Sequence, residues 1–481
     1  MTRPNILLVL TDQMRSTALG CAQVESVITP NLDAFASEGI RFTNAVSNTP
    51  ACTPARATLF TGMHILRHEL VNNEMQLSQR HVSLAHALGS AGYRCGYVGK
   101  WHLDGVNRGA YIPPGPRRQG FDDFWAGTEC NHRYRAGYYY DDDTRQPIWF
   151  DDYEPDGQTD LALDFIASRS KGPQPFFLTI SWSPPHCPYD QVPDKYREMY
   201  NPEDIEFLPN AAAAKIQDPE TRGGNARPAD LPQEEHNRRK RRVIADYYAQ
   251  VSALDVCFGR LMDGLEENGI TQNTIVVFTS DHGDMLFSHD RGWKGKPWRE
   301  SVGIPLLFRW PGHVPINAAS AAPIGLVDIM PTLLSLVGAG IPEQVEGVDQ
   351  AAVVQGDSGA AVSSQFINFP AMPFFMRDPA WRGIVTAEYT YVESCDGPWL
   401  MFNDADDPFQ LTNLVENGAA SGERETLARE LRDWLHRTGD GFESAEAVVA
   451  RYCPGYDERG IIPIPPLEPV ILDGQNARYK T

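Results

Sequence analysis

Short apolar runs recur along this chain, and four of them end in residues able to bind a metal ion or an anion. Residues 6–10 lead into Asp12 and Gln13, and residues 93–98 into Lys100 and His102. Residues 176–180 lead into His186, and residues 275–279 into Asp281 and His282. Runs with so little polar alternation are buried on both faces, as strands of a parallel sheet are. Residues 304–308 read the same way, with Pro305 near the start, where a missing backbone donor costs least. Helical patterns lie between the runs. The clearest covers 243–267, where Val243, Tyr247, Val251, Leu254, Phe258, Leu261 and Leu265 step by three or four along one stripe. Asn268-Gly269 stops it, and Asp255 falls on its polar face. The alternation gives an α/β fold with a mostly parallel central sheet flanked by helices. Ligands in such sheets collect beyond the carboxyl ends of the strands, so all four endings are able to converge.

With 481 residues the chain has room for one large α/β domain and an appendage. Its character changes near Phe374, where short β-rich pieces (383–387, 389–393 and 400–403) precede a helical stretch at 425–436. The expected division is a catalytic domain over 1–373, a small antiparallel sheet with a helix over 374–459, and an extended arm over 460–481. The arm's run of isoleucine and proline fits neither helix nor sheet interior, and it is expected to pack on a partner in a homo-oligomer. Residues 201–242 are polar and end in Arg238-Arg239-Lys240-Arg241-Arg242. They read as an insertion near the mouth of the site, shaping a leaving-group pocket together with the aromatic-rich stretch 134–140.

The formal charge of -21 argues against nucleic acid or an anionic membrane as partner. No run approaches the ~20 apolar residues that span a bilayer. Residues 6–10 are too few for a secretory signal core, so a cytoplasmic location is expected. The eight cysteines show no C-x-x-C spacing and read as free thiols. Cys130 with His132, and Cys187 with His186, lack the spacing of a zinc finger.

The most specific local pattern is Cys52-Thr53-Pro54-Ala55-Arg56, with Thr61-Gly62 downstream. At a helix start, Cys52 and Arg56 share one face, and dipole and guanidinium together would lower the thiol pKa. Taken alone, such a pattern equally describes a buried structural cysteine. Asp12, Gln13, Asp281 and His282 offer two carboxylates, an amide oxygen and an imidazole, a donor set for one divalent cation. Lys100 and His102 lie two apart on an extended segment and point the same way, which suits anion neutralisation with proton transfer.

These motifs, with Gly99-Lys100-Trp101-His102-Leu103, Asp281-His282-Gly283, Asn403, Asp407-Pro408 and Leu411-Thr412-Asn413-Leu414, follow one another in a telling order. The chain resembles the type I sulfatases of the alkaline-phosphatase superfamily, from Asn5 to about Leu414. The resemblance implies that a separate maturation enzyme oxidises Cys52 to formylglycine (3-oxoalanine). Its hydrate would attack the sulfur of a sulfate ester and then expel sulfate. The resemblance also implies that Asp12, Gln13, Asp281, His282 and residue 52 bind the metal, and that Arg56 holds the nucleophile and the sulfate. Lys100 and His102 would serve the second hydroxyl. His186 and Lys294 would contact the ester oxygens, one of them donating a proton to the leaving group. Asn73 matches a sulfate-binding asparagine, with Asn72 as the alternative register. Lys296 competes with Lys294, which is preferred for its spacing to Trp298-Arg299-Glu300.

Many sulfatases carry a second carboxylate where this chain has Gln13, and asparagine where it has His282. The Gln/His pairing resembles the choline-sulfatase and phosphonate-monoester-hydrolase branch; Ca2+ is the favoured metal, and this pairing is what makes Mn2+ the alternative. The implied activity is hydrolysis of a small sulfate monoester, arylsulfatase-like. A phosphonate monoester or phosphodiester hydrolase using the same site is the rival reading. A thiolate phosphatase would need five residues between cysteine and arginine, where this chain has three, and a non-catalytic anion binder would not keep the whole set.

Overall fold

Eight strands build one sheet: β1 (Asn5–Asp12), β2 (Ile40–Phe42), β3 (Arg94–Lys100), β4 (Phe124–Thr128), β5 (Phe176–Pro185), β6 (Thr274–Ser280), β7 (Leu306–Arg309) and β8 (Ala318–Ser320). Their spatial order is β8-β2-β7-β6-β1-β5-β3-β4. Neighbours run parallel everywhere except at β7, which is antiparallel to both β2 and β6. The computed structural model describes residues 3–105, 107–211, 233–371 and 379–453. The arm expected at 460–481 and the stretch 212–232 of the expected insertion lie outside them. Among the described residues, no helix is long and apolar enough to cross a membrane.

β1 occupies the middle of the sheet and is buried over its whole length. Leu7 stands between Leu178 of β5 and Val276 of β6, which fixes the register of the three central strands. Successive residues face opposite sides. Leu7 and Val9 join a core lined by α2 (Glu154–Arg169) and α3 (Gln233–Glu267), through Phe165, Ile166, Tyr247, Val251 and Leu254. Ile6, Leu8 and Leu10 join a second core with Leu59, Phe60, Ile329 and Leu333, from α1 (Cys52–Thr61) and α4 (Leu326–Leu336).

Two readings change here. α3 already includes Gln233, so the basic run lies inside the helix rather than in the expected insertion. Glu235 pairs with Arg238 and Arg239 at three- and four-residue spacing, and Arg197 and Arg242 both reach Asp246. Charged helical turns of this kind carry no apolar stripe to announce them. Asp255 is not a surface residue: it is buried and accepts from Leu32 N at 2.7 Å and Asn31 Nδ2 at 2.8 Å. It thereby satisfies the start of the helix Pro30–Ser37, whose first N–H groups have no partner within the helix.

A four-stranded antiparallel sheet follows, in the order β9 (Ser364–Phe369), β10 (Trp381–Thr386), β11 (Tyr389–Ser394) and β12 (Gly397–Asn403). The boundary expected at 374 lies outside the described residues, between β9 and β10. One face of this sheet packs through Phe366, Ile384, Tyr391 and Met401 on Leu427, Leu431 and Trp434 of α5 (Ser421–Thr438). The other face, with Ile367, Phe369, Trp381 and Phe402, covers Ala51, Met285, Trp298 and Val302. Asn368 Oδ1 accepts from Thr49 Oγ1 at 2.7 Å, and Asn368 N donates to Asn48 O at 2.8 Å. The small sheet thus braces the segment that delivers Cys52.

Candidate active site

β1 ends on Asp12, β6 runs into Asp281 and His282, and α1 begins with Cys52. Ligand atoms of these four residues lie within 4.8 Å of one another, and all four are buried. His282 Nδ1 donates to Gly283 O at 2.9 Å. That bond turns Nε2 inward, 3.4 Å from Cys52 Sγ, 3.6 Å from Asp12 Oδ1 and 3.5 Å from Asp281 Oδ1. Gln13 adopts a left-handed backbone (φ 69°), rare outside glycine and held by its N–H bond to Asp281 Oδ1 at 3.1 Å. Its Oε1 accepts from Lys294 Nζ at 3.0 Å.

Three buried cations surround these groups. Arg56 Nε donates to Asp281 Oδ2 at 3.0 Å, Nη1 to Lys100 O and Ser181 Oγ at 2.8 Å each, and Nη2 lies 3.4 Å from Asp12 Oδ2. Lys100 Nζ pairs with Asp12 Oδ2. Lys294 Nζ stands 3.0 Å from Cys52 Sγ. Lys294 therefore reaches the centre, while the backbone of Lys296 donates to Ser301 Oγ at 3.2 Å. Asn73 Oδ1 accepts from Thr53 N, in the first turn of α1, at 3.0 Å, and Asn72 Oδ1 accepts from Asn73 N at 2.8 Å. His102 is anchored through its N–H to Glu129 O (2.7 Å) and its carbonyl to Thr53 Oγ1 (2.9 Å). His186 is buried, with its ring stacked on His132 at 4.6 Å.

The charges decide the ionisation states. Burial alone would raise the Asp12 carboxyl, but Lys100, His186, Lys294 and Arg56 hold it well below its usual range. Burial and Asp12 push the Cys52 thiol up, yet Lys100, Lys294 and His282 pull it well below its ordinary value. His102, despite burial, is raised to about 10, with Cys130 and Glu74 favouring the charged ring. The donor set fits one divalent cation: two carboxylates and a ring nitrogen meet in one place, and the Gln13 amide oxygen lies on Lys294, whose ammonium stands beside Cys52.

Sequence reasoning missed several contributors. Glu74 Oε1 lies 3.3 Å from His102 Nε2 and accepts from Arg108 Nε at 2.9 Å. Asp284 and Tyr189 lie behind Gln13, and Ser181 holds Arg56. Only Asp284 carried a signal, its place in the run that begins at Asp281.

Comparison with known proteins agrees with this geometry. The Sulfatase family model matches residues 4–339, more than half of the chain. The chain belongs to the sulfatase family. Residues 290–437 of this sulfatase match the model of the N-sulphoglucosamine sulphohydrolase C-terminal region. An ulvan-active sulfatase from Formosa agariphila is 35% identical over 470 residues, covering 94% of this chain and 84% of that protein. A crystal structure of a candidate sulfatase, yidJ, from Bacteroides fragilis superposes with a TM-score of 0.79 at 30% identity, covering 94% of this chain and 98% of that one. The phosphonate monoester hydrolase of Agrobacterium radiobacter shares the fold, with a TM-score of 0.71 at 24% identity over 91% of this chain and 96% of that one. The sulfatase is thus a sulfuric ester hydrolase of alkaline-phosphatase fold.

One buried group of this sulfatase sets a test of stability. Glu129 is buried with no partner on Oε2, and burial pushes its carboxyl up from 4.5 to about 8. Between those values the folded state keeps a proton that the unfolded state has released, so stability falls as pH rises from about 4.5 to 8. Glu129→Gln removes the titration while keeping the shape of the neutral acid. The variant should melt above the wild type at pH 8 and level with it near pH 4.5; an equal difference at both pH values would refute the assignment.

Proposed function

We propose that this sulfatase hydrolyses a small sulfate monoester, arylsulfatase-like, releasing sulfate and an alcohol or phenol, after a maturation enzyme has converted Cys52 to formylglycine. The observation that carries this reading is the placement of Cys52. Its sulfur begins a helix, 3.0 Å from the Lys294 ammonium and 3.4 Å from His282 Nε2, among candidate metal ligands. A formylglycine there supplies a hydrated aldehyde as nucleophile. Asp12, Gln13, Asp281 and His282 would hold a divalent cation, Ca2+ favoured over Mn2+, which supplies a Lewis acid to the nucleophile and the ester oxygen.

The chain's own groups do the rest. Arg56 holds Asp12 and Asp281 in place and lends positive charge to a bound sulfate. Lys100 neutralises Asp12 and faces the same anion. His102, held in its charged form, stabilises the second hydroxyl as a hydrogen-bond donor. His186 and Lys294 contact the ester oxygens, one of them protonating the leaving group, and Asn73 steadies the start of α1 beside the sulfate. Chelating divalent ions should lower turnover by roughly a hundredfold or more. Ca2+ or Mn2+ would restore it, and the better of the two identifies the working metal. Full turnover after exhaustive chelation would remove the metal from this scheme.

Gln13 and His282 also favour a second reading, phosphonate monoester or phosphodiester hydrolysis at the same site. Turnover of an aryl sulfate and an aryl phosphonate monoester on one preparation separates the two, and dominant phosphonate activity would reverse the ranking. A cytoplasmic homo-oligomer completes the proposal. Deleting residues 460–481 tests the second part, since an unchanged mass in solution would argue against the arm as the oligomer contact.

A further inference from the structure

Gln13 is held more completely than a ligand at a strand end requires. Its N–H donates to Asp281 Oδ1 at 3.1 Å, and its carbonyl accepts from Tyr247 Oη at 3.1 Å. The side-chain amide lies between two groups of opposite kind. On one side the Lys294 ammonium donates to Oε1 at 3.0 Å. On the other, Nε2 donates to Asp284 Oδ2 at 2.8 Å. An ammonium has no acceptor and a carboxylate no donor, so only one amide orientation satisfies both. That orientation puts the oxygen on Lys294, whose ammonium also stands 3.0 Å from Cys52 Sγ, and the NH2 on Asp284.

Asp284 is itself fixed. It is fully buried, its Oδ1 accepts from Leu286 N at 2.9 Å, and its Oδ2 also accepts from the Tyr189 hydroxyl. We infer that Asp284, backed by Tyr189, is a positioning residue that locks the Gln13 amide with its oxygen toward the cation site. This rests on the reading of Gln13 as a metal ligand. It also gives a reason for an amide at position 13. A carboxylate there would face Asp284 at hydrogen-bond distance, and two ionised carboxylates that close disfavour each other.

The substitution that tests it keeps the shape. In Asp284→Asn one oxygen becomes an NH2, so the side chain can accept from Leu286 N or from Gln13 and Tyr189, but not from both sets. Calorimetric titration of Ca2+ and Mn2+ into the chelated full-length protein is the readout, with the metal-free melting curve as the check on folding. Asp284→Asn should bind both ions about 10–100-fold more weakly, as loss of a group that orients a ligand does. Gln13→Glu should also bind more weakly, although it adds negative charge to a cation site, and adding Asp284→Asn to it should recover affinity. Wild-type affinity in Asp284→Asn overturns the inference, as does tighter binding by Gln13→Glu with Asp284 in place. If Asp284→Asn fails to fold alone, the Gln13→Glu result decides by itself. Gln13→Ala separates the two levels. Unchanged binding there removes Gln13 from the ligand set, whereas weakened binding with a normal Asp284→Asn variant removes only the role of Asp284.

Discussion

Cys52→Ala is expected to lower sulfate-ester turnover by about 10⁵–10⁶-fold, the scale on which loss of a covalent nucleophile acts. The sulfur position is where the site's charges meet: Lys294 Nζ lies at 3.0 Å, His282 Nε2 at 3.4 Å and Asp12 Oδ1 at 3.8 Å. Cys52 supplies the one thiol in that cluster of ligand atoms among the described residues. Cys52→Ser sharpens the test. Serine offers one hydroxyl in place of two, so it can take up a sulfuryl group but cannot expel it by collapse to an aldehyde. Incubated with substrate, this variant should carry the added mass of one SO3 group on the peptide containing residue 52 and turn over no further. In the wild type, the same peptide should be lighter than its unmodified form, in proportion to activity. An unmodified cysteine in fully active protein, or an alanine variant with substantial turnover, would leave the nucleophile assignment without support.

The parts of this site that can be read from the chain are those that end strands. A strand buried on both faces has to be apolar throughout, so the first polar residues after it stand out. Asp12, Lys100, Asp281 and His282 were all legible for that reason. Cys52 and Arg56 were legible because a short helix start brings them together without help from the rest of the fold. The residues that support them were not. Glu74 meets His102 across a gap of 28 positions, and Tyr189 meets Asp284 across 95. Such pairings are set by loop paths rather than by periodicity. Asp255 shows the limit in another form, since a carboxylate on a helix's polar stripe looks the same whether it faces water or the start of a neighbouring helix. The first turns of α3 were hidden by their charge, and β9 lies ahead of the place where the composition changes. In each case the local sequence is consistent with the structure, but the partner that makes it specific is far away in the chain.

Arg56→Ala is expected to damage both stability and catalysis, and the two losses have one origin. The guanidinium is fully buried and spans Asp281, Asp12, Ser181 and the Lys100 carbonyl at once. Its removal leaves Lys100 on Asp12 but takes from Asp281 its bonded cation, in a place where burial already disfavours the carboxylate. Breaking a buried pair by deleting one partner costs about 3–5 kcal/mol. For a chain of this length that corresponds to a fall of roughly 3–5 °C in melting temperature, if the unfolding entropy scales with residue number. Turnover should fall about 10²–10³-fold or more, because the cation that faces the developing charge is lost. Arg56→Lys should recover little of either, since one ammonium cannot reach four acceptors set around a planar fork. The bound metal offers the discriminating measurement. A divalent cation stabilises any protein that binds it only when folded. In Arg56→Ala it would also neutralise carboxylates that have lost their guanidinium. The rise in melting temperature on adding Ca2+ should therefore be larger in Arg56→Ala than in the wild type. A smaller rise would mean that Arg56 is needed to assemble the ligands, and the charge-balance account of its role would have to be given up.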